Sequence, residues 1–167
     1  MYNELTKIDI KKMKEEIKHR ATVLRPQLSD DVKEARSLGD LSENAEYRSA
    51  RRAFCRNESR IRFLEKMIRT AKVISTESAE DEVGLFDKIE VVYEDTGDVE
   101  TLMLSTTTRL DLENGIISKE SPFGKAVLGK KVGDKILVKV NPEYSYTVTI
   151  KSITKGTDDE SIPLNGY

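Results

Sequence analysis

The sequence lacks most of the residues from which metal and catalytic centres are usually assembled. Cys55 is the only cysteine and His19 the only histidine among 167 residues. A disulfide framework and a zinc site of several Cys and His ligands are therefore excluded, and a catalytic triad would have no spare members. Any metal ion would have to be held by carboxylates.

Aromatic residues and long apolar runs are also scarce. There is no tryptophan, and aromatic residues make up 6% of the chain, whereas charged residues make up 35%. That charged fraction exceeds the roughly 25% of typical globular domains, which favours an extended, surface-rich shape over one compact core with a large enzyme pocket. No apolar run approaches the ~20 residues of a bilayer span, and the first residues lack a signal-peptide core. We therefore expect a cytoplasmic protein that contacts no membrane.

The two halves of the chain carry opposite net charge. Residues 1–76 contain 18 basic and 12 acidic side chains, and residues 77–167 contain 10 basic and 18 acidic ones. The halves are therefore expected to meet different partners, and the first half is the better candidate for contact with nucleic acid. The alternative is two unrelated solvated surfaces.

Apolar residues spaced three and four apart predict two long helices in the first half. The first series runs from Ile10 to Ala35; Pro26 could bend this helix, although the pattern resumes beyond it. The second series runs from Tyr47 to Ala71 as a heptad seam, in which Asn57 is expected to fix the register. Because neither seam can otherwise be buried, the helices should pack as an antiparallel coiled-coil hairpin.

The second half changes to a strand-like pattern. The expected organisation is a hairpin domain 1–75, a polar linker 76–84, a sheet domain 85–155 and a flexible acidic tail 156–167. Four apolar runs separated by turn residues, with a short helix after Pro122, predict a twisted antiparallel sheet. The fold class is therefore α+β.

Two carboxylates, Asp40 and Glu43, lie where the hairpin turns. One interpretation is that they are presented side by side at the end of the rod to do chemistry. The other is a capping box, in which Asp40 caps the second helix and Glu43 returns the hydrogen bond. Both can hold, because a capping box would fix the two carboxylates in space.

Two segments carry a resemblance to a known family. Residues 35–47, ARSLGDLSENAEY, resemble the tip motif of the Gre transcript-cleavage factors of bacterial RNA polymerase, and residues 117–134, ISKESPFGKAVLGKKVGD, resemble that family's carboxyl-terminal signature. The order and separation of the two motifs match as well. The resemblance extends over residues 8–153, nearly the whole chain.

The resemblance implies a coiled-coil hairpin followed by a domain of FKBP-like fold. It further implies that the hairpin enters the secondary channel of RNA polymerase, where the 3′ end of backtracked nascent RNA emerges. There Asp40 and Glu43 would help to hold a Mg²⁺ ion of the polymerase active site, and the polymerase itself would cleave the RNA. Two acids at a tip cannot bind Mg²⁺ tightly alone. We therefore expect a protein that is not itself an enzyme and binds no metal when free. We also expect the free protein to be a monomer.

The resemblance also suggests residues that contact RNA and polymerase. Arg48, Arg52 and Arg56 lie four apart on one face of the second helix with Arg51 adjacent, as expected for a stripe that meets RNA phosphates. The alternative is a solvated face paired partly with Glu58 and Glu65. In the second half, the residues suggested to contact a coiled coil at the channel rim are Ser121, Pro122 and Phe123. Alternatively, Pro122 merely starts a helix and Phe123 fills the core.

Three other functions fit parts of the sequence. A prolyl isomerase would need an aromatic pocket, for which the second half has too few aromatic residues. A related factor could occupy the channel without promoting cleavage, although the presence of both Asp40 and Glu43 argues against that. A plain interaction module would leave the apolar seam of the hairpin exposed.

Overall fold

The structure is a computed structural model that describes residues 4–37, 44–158 and 160–165. The chain divides into two compact units. The helical unit is Ile10–Ala71, and the sheet unit takes the described residues within Met1–Asp9 and Lys72–Gly166. Residues 4–9 thus lie in the sheet unit rather than in the predicted hairpin domain 1–75. In the described ranges, no helix combines the length and the apolar character that crossing a bilayer would take.

The described residues form four α-helices and an irregular helical segment. The irregular segment is a π-helical stretch at Arg20–Leu24. The helices are α1 (Lys7–His19), α2 (Arg25–Ser37), α3 (Ala45–Arg69) and the short α4 (Pro122–Val127) of the sheet unit.

Pro26 accounts for the π-helical stretch that precedes it. Proline has no N–H to donate, and its ring clashes with the carbonyl one turn earlier in a regular helix. The Arg25 N–H donates to the Arg20 carbonyl, five residues back rather than four, which widens the turn at this point. The irregularity expected at Pro26 therefore takes this form.

Side-chain contacts show that α2 and α3 run antiparallel. Arg25 pairs with Glu58 at 2.7 Å, and Asn44 donates to the carbonyl of Ala35 at 2.8 Å. The residue number on the second helix falls as the number on the first rises, so the predicted hairpin is confirmed. Asn57 is buried and donates to the Arg20 carbonyl at 3.3 Å, which fits its predicted role in fixing the register.

The interior of the helical unit contains a charged group that the apolar pattern did not predict. Ile61 and Leu64 of the seam are buried, but so is Arg60. Its guanidinium donates to both carboxylate oxygens of Glu16 at 2.8 and 3.0 Å. Burial alone would raise the pKa of Glu16, but the hydrogen bonds from Arg60 and Arg20 outweigh it and hold that pKa below its usual value.

The sheet unit is built on a five-stranded sheet with the spatial order β5-β4-β3-β7-β6. A separate parallel pair joins β1 to β2. The strands are β1 (Glu4–Leu5), β2 (Lys72–Val73), β3 (Lys88–Tyr93), β4 (Val99–Ser105), β5 (Ile116–Ser118), β6 (Lys135–Lys139) and β7 (Ser145–Thr154).

The α+β class is confirmed, and the sheet is mixed rather than wholly antiparallel. Three of its pairings are antiparallel, whereas β4 and β5 run parallel. A 3₁₀ helix at Thr107–Arg109 and the loop after it carry the chain back between these two strands. Alternate residues of the strands form the apolar core on one face, where Phe123 and Val127 of α4 pack against them.

A buried arginine organises one end of the sheet unit. Arg109 is fully buried, as is its ion-pair partner Asp9, and their closest atoms are 2.5 Å apart. Asp9 also accepts a hydrogen bond from the Thr6 N–H at 2.9 Å, while the Thr6 hydroxyl accepts one from the Asp9 N–H at 3.1 Å. This reciprocal pair is a capping box, and it fixes the first turn of α1 within the sheet unit.

The described residues after 155 do not form the free tail that composition predicted. Asp158 forms an ion pair with Arg109 at 2.8 Å. The Gly156 N–H donates to Asp87 at 3.0 Å, and the Asn165 N–H donates to the Thr108 carbonyl at 2.8 Å. The partners of these residues lie far away in sequence, elsewhere in the sheet unit. Composition alone could therefore not predict that the residues are attached.

The predicted linker 76–84 is likewise attached to the sheet unit at its far end. Val83 belongs to the apolar core, and the Lys155 ammonium donates to the Ser78 hydroxyl, the Glu82 carbonyl and the Asp87 carboxylate at 2.6 to 2.9 Å. One lysine thus satisfies several polar groups of a segment that has few apolar residues to bury. We conclude that the last residues of the predicted linker are part of the folded unit.

Candidate functional site

The tip carboxylates Asp40 and Glu43 lie outside the described residues, but the helix ends on both sides of them are described. α2 ends at Ser37 and α3 begins at Ala45. The N-cap of α3 is Asn44, whose side-chain oxygen accepts a hydrogen bond from the Tyr47 N–H at 2.9 Å.

This cap corrects the capping-box interpretation of the tip. In that interpretation Asp40 was the N-cap and Glu43 the third helical residue, whereas α3 starts only after Asn44. Asparagine and aspartate are equally good N-caps, so the signal for Asn44 was present in the sequence. The helix therefore has its cap without either carboxylate.

The amide of Asn44 also connects the two helices. Its nitrogen donates to the carbonyl of Ala35 at 2.8 Å, in the last turn of α2. Carbonyls in the last turn of a helix have no partner within the helix, so this hydrogen bond satisfies an acceptor that the helix itself leaves unpaired. Sequence analysis did not single out Asn44 for this contact.

The predicted arginine stripe lies on α3, and all of its members are exposed. The stripe comprises Arg48, Arg51, Arg52 and Arg56. In the part of the chain that the structure describes, none of these four side chains forms an ion pair. Glu58, which could have neutralised the stripe, instead accepts two hydrogen bonds from Arg25 at 2.7 and 2.9 Å. The hydrogen bond from Arg25 also lowers the pKa of Glu58, so this carboxylate is committed to the facing helix.

No metal centre is visible within residues 4–37, 44–158 and 160–165. No three His, Cys, Asp or Glu side chains come together there in a way that could hold an ion. The predicted ligands, Asp40 and Glu43, would supply two carboxylates, which are hard oxygen donors of the kind that Mg²⁺ prefers. Two such donors suit Mg²⁺ in kind but leave most of its coordination shell to other molecules.

The predicted polymerase-contact residues occupy three different environments. The Ser121 hydroxyl accepts a hydrogen bond from the Gly124 N–H at 2.9 Å and so caps α4. Pro122 is the first residue of α4 and is exposed, whereas Phe123 is only 5% exposed and belongs to the apolar core. Of these three residues only Pro122 is exposed, and Phe123 fills the core as the alternative interpretation held.

Comparison with known proteins assigns the chain to a family. A family model described as "Transcription elongation factor, N-terminal" matches residues 3–73, and one described as "Transcription elongation factor, GreA/GreB, C-term" matches residues 76–155. A protein named transcription elongation factor GreA from Mesoplasma florum is 40% identical over 146 residues, covering 86% of this chain and 94% of that protein. The GreA of Caldanaerobacter subterraneus is 41% identical over 137 residues, covering 81% and 87%.

Solved structures of similar proteins were also found. The GreA factor homolog 1 (Gfh1) of Thermus thermophilus is 21% identical, covers 91% of this chain and 98% of its own, and gives a TM-score of 0.41. A GreA/GreB factor from Nitrosomonas europaea is 25% identical, covers 57% and 79%, and gives a TM-score of 0.40. On the matches of the family models and the identity to GreA proteins, the chain belongs to the GreA/GreB family of transcription elongation factors.

Proposed function

We propose that this protein binds bacterial RNA polymerase in the cytoplasm, inserts its coiled coil into the secondary channel and stimulates cleavage of backtracked nascent RNA by the polymerase. The observation that carries the proposal is the tip motif of residues 35–47, with both carboxylates present, in a chain of this family. The antiparallel arrangement of α2 and α3 supports it, because a coiled-coil hairpin is the element that the proposal requires.

The role proposed for Asp40 and Glu43 is to complete the coordination of a Mg²⁺ ion held mainly by the polymerase. When bound, this ion would activate the attacking water and stabilise the leaving oxygen of the RNA. Two carboxylates leave most of the coordination shell unfilled, so the free protein should bind Mg²⁺ weakly and cleave no RNA alone. The protein is then an accessory factor rather than an enzyme, and we propose that it is a monomer when free.

We propose that the arginine stripe holds the extruded RNA by its phosphates. The four guanidinium groups are exposed, and none has an ion-pair partner among the described residues. Arginine binds phosphate through paired N–H donors, and such contacts do not depend on the base. The stripe would therefore hold any RNA sequence, and its contribution should weaken as salt is added.

Contact with the polymerase outside the channel is proposed for the start of α4. Pro122 is exposed there, and the Ser121 cap holds the first turn in place. Phe123 would act indirectly, because its ring anchors α4 to the core of the sheet unit. A coiled coil at the rim of the channel is the proposed partner surface.

The test is a cleavage assay on a stalled, backtracked elongation complex with labelled RNA. Asp40→Asn and Glu43→Gln should each abolish release of short 3′ fragments while polymerase binding is nearly unchanged. Asp30→Asn is the matched control, because Asp30 is an exposed acid of α2 outside the tip motif. Wild-type cleavage by both tip variants would refute the proposal, and channel binding without any stimulated cleavage by the wild type would identify a non-cleaving factor instead.

The arginine stripe is tested in the same assay. Replacing Arg48, Arg52 and Arg56 together by Ala should impair cleavage of deeply backtracked complexes most, because their RNA extends farthest along the hairpin. Crosslinking from the RNA 3′ end at two salt concentrations provides the second measurement. Equal, salt-insensitive crosslinking of wild type and triple variant would show that these arginines are only solvated surface charges.

A further inference from the structure

The side chain of Asn44 makes two hydrogen bonds in opposite directions at the base of the tip. Its carbonyl oxygen accepts from the Tyr47 N–H at 2.9 Å, within the first turn of α3. Its amide nitrogen donates to the Ala35 carbonyl at 2.8 Å, in the last turn of α2. Asn44 is partly buried, and Ala35 is buried, so water competes poorly for the second bond.

Both helix ends next to the tip are therefore fixed by one residue. The chain leaves α2 after Ser37 and enters α3 after Asn44, so the six intervening residues span two ends whose separation is set by this side chain. Asp40 and Glu43 both belong to those six residues.

A simple helix cap would not require asparagine at this position. Serine and aspartate cap a helix about as well as asparagine does. Only asparagine among the good caps has both an acceptor and a donor on one planar group. Capping thus explains the bond to Tyr47 but leaves the bond to Ala35 without a role in α3 itself.

We propose that Asn44 is a positioning residue for transcript cleavage, which sets the placement of Asp40 and Glu43 by tying the start of α3 to the end of α2. The inference rests on the proposed function. A displacement of reacting groups by about 1 Å can lower a reaction rate by up to about 10²-fold. Loss of a single hydrogen bond at the base of the tip can therefore slow RNA cleavage while binding to the polymerase is unaffected.

The two bonds can be separated by substitution. Asn44→Ser keeps a cap acceptor for the Tyr47 N–H, but its hydroxyl is too short to reach the Ala35 carbonyl. Asn44→Ala removes both bonds. Asn114→Ser is the matched control, because Asn114 also uses its amide in local hydrogen bonds, with Asp111 of the sheet unit.

The experiment measures four quantities for each full-length variant. They are the cleavage rate at saturating factor, the factor concentration that gives half that rate, polymerase affinity by competition, and hydrogen exchange of the Tyr47 amide in the free protein. For Asn44→Ser we expect a roughly 10-fold lower saturated rate. The half-saturating concentration, the affinity and the protection of the Tyr47 amide should remain near wild type. Asn44→Ala should lose the protection as well, and Asn114→Ser should match wild type throughout.

The outcomes separate this inference from the proposed function when Asp40→Asn is assayed alongside. If Asp40→Asn loses cleavage and Asn44→Ser retains the wild-type rate, only the positioning role is overturned. If Asn44→Ser loses cleavage only as far as it loses polymerase affinity, the positioning role is also overturned, because Asn44 would then serve docking. If Asp40→Asn cleaves normally, the proposed function fails and the inference fails with it.

Discussion

The buried ion pair between Arg109 and Asp9 should be a contact on which the stability of the sheet unit depends strongly. Neither side chain is exposed, and their closest atoms are 2.5 Å apart. Arg109 also donates to the Thr6 hydroxyl at 3.2 Å and lies over the ring of Phe86, with its guanidinium carbon 5.0 Å from the ring centroid. The charge of Arg109 is thus removed from water and depends on the carboxylates around it.

The predicted perturbation is Asp9→Asn, which preserves shape and removes the charge. Removing one partner of a buried pair typically costs about 3 to 5 kcal/mol, because the other charge stays buried without compensation. Asp158 still faces Arg109 at 2.8 Å, and the new amide oxygen can still accept from the Thr6 N–H, so we expect the lower end, about 3 kcal/mol. That is a large part of the ~5 to 15 kcal/mol that stabilises a typical domain.

Urea unfolding at neutral pH, followed by circular dichroism and tyrosine fluorescence, measures this loss. The control is Asp30→Asn, because Asp30 and Lys33 form an exposed ion pair at 2.8 Å and exposed pairs contribute little. A shift for Asp9→Asn no larger than that of the control, with an unchanged denaturant slope, would refute the reasoning. The charge of Asp9 would then not be what compensates Arg109.

Two further predictions concern a titrating group and a protected segment. Hydrogen bonds lower the pKa of Glu16 in the folded protein. Its contribution to the free energy of unfolding is therefore full above the pKa of the unfolded chain, near 4.5, and is lost as pH falls through the pKa of the folded protein. Urea midpoints below pH 4.5 should therefore fall more steeply for wild type than for Glu16→Gln; parallel curves would contradict this. Lys155→Met should speed proteolysis within residues 76–84, since the ammonium binds Ser78 and Glu82 in that segment and Asp87 just beyond it. Lys151→Met, which removes only an exposed ion pair, is the control, and equal cleavage rates in both variants would show that Lys155 does not protect the segment.

The hairpin was predictable because its signals are local. Apolar residues repeat along each helix at the helical period, and this repeat can be recognised in a short stretch of sequence. Asn57 interrupts the seam at a position where a polar residue commonly fixes register, and in the structure its amide reaches the Arg20 carbonyl across the hairpin. The strands could be predicted for the same reason, since alternate apolar residues mark the face of the sheet that packs against the core.

The tail and the far end of the linker were not predictable because their contacts are distant in sequence. Asp158 pairs with Arg109, and Lys155 reaches back to Ser78. The composition of an acidic, glycine-containing segment does not show whether its residues form such contacts with the rest of the fold. The parallel pairing of β4 and β5 was missed for a related reason, since strand periodicity specifies faces but not the direction of a neighbour.

The tip shows how two local signals can compete. Asp40 and Glu43 fit the capping-box spacing, and Asn44 fits the cap position equally well by residue type. The bond between Asn44 and the Ala35 carbonyl is a tertiary contact that only the second cap can make, and the structure contains it. The sequence alone could not weigh that contact, because it depends on how α2 and α3 pack.

The arginines of α3 share one spacing but occupy two environments, and the facing helices determine which arginines are buried in ion pairs and which are exposed. Arg48, Arg52 and Arg56 are each four residues apart, and the same spacing leads on to Arg60. Arg60 is nevertheless buried, because Glu16 of α1 accepts its guanidinium, and Glu58 is taken by Arg25. The exposed stripe therefore ends where the facing helices begin to supply ion-pair partners, and its unpaired members occupy the half of α3 nearer the tip. That distribution supports the proposal that they meet RNA phosphates, because their side chains have no ion-pair partner among the described residues and belong to the part of the hairpin that would enter the channel first.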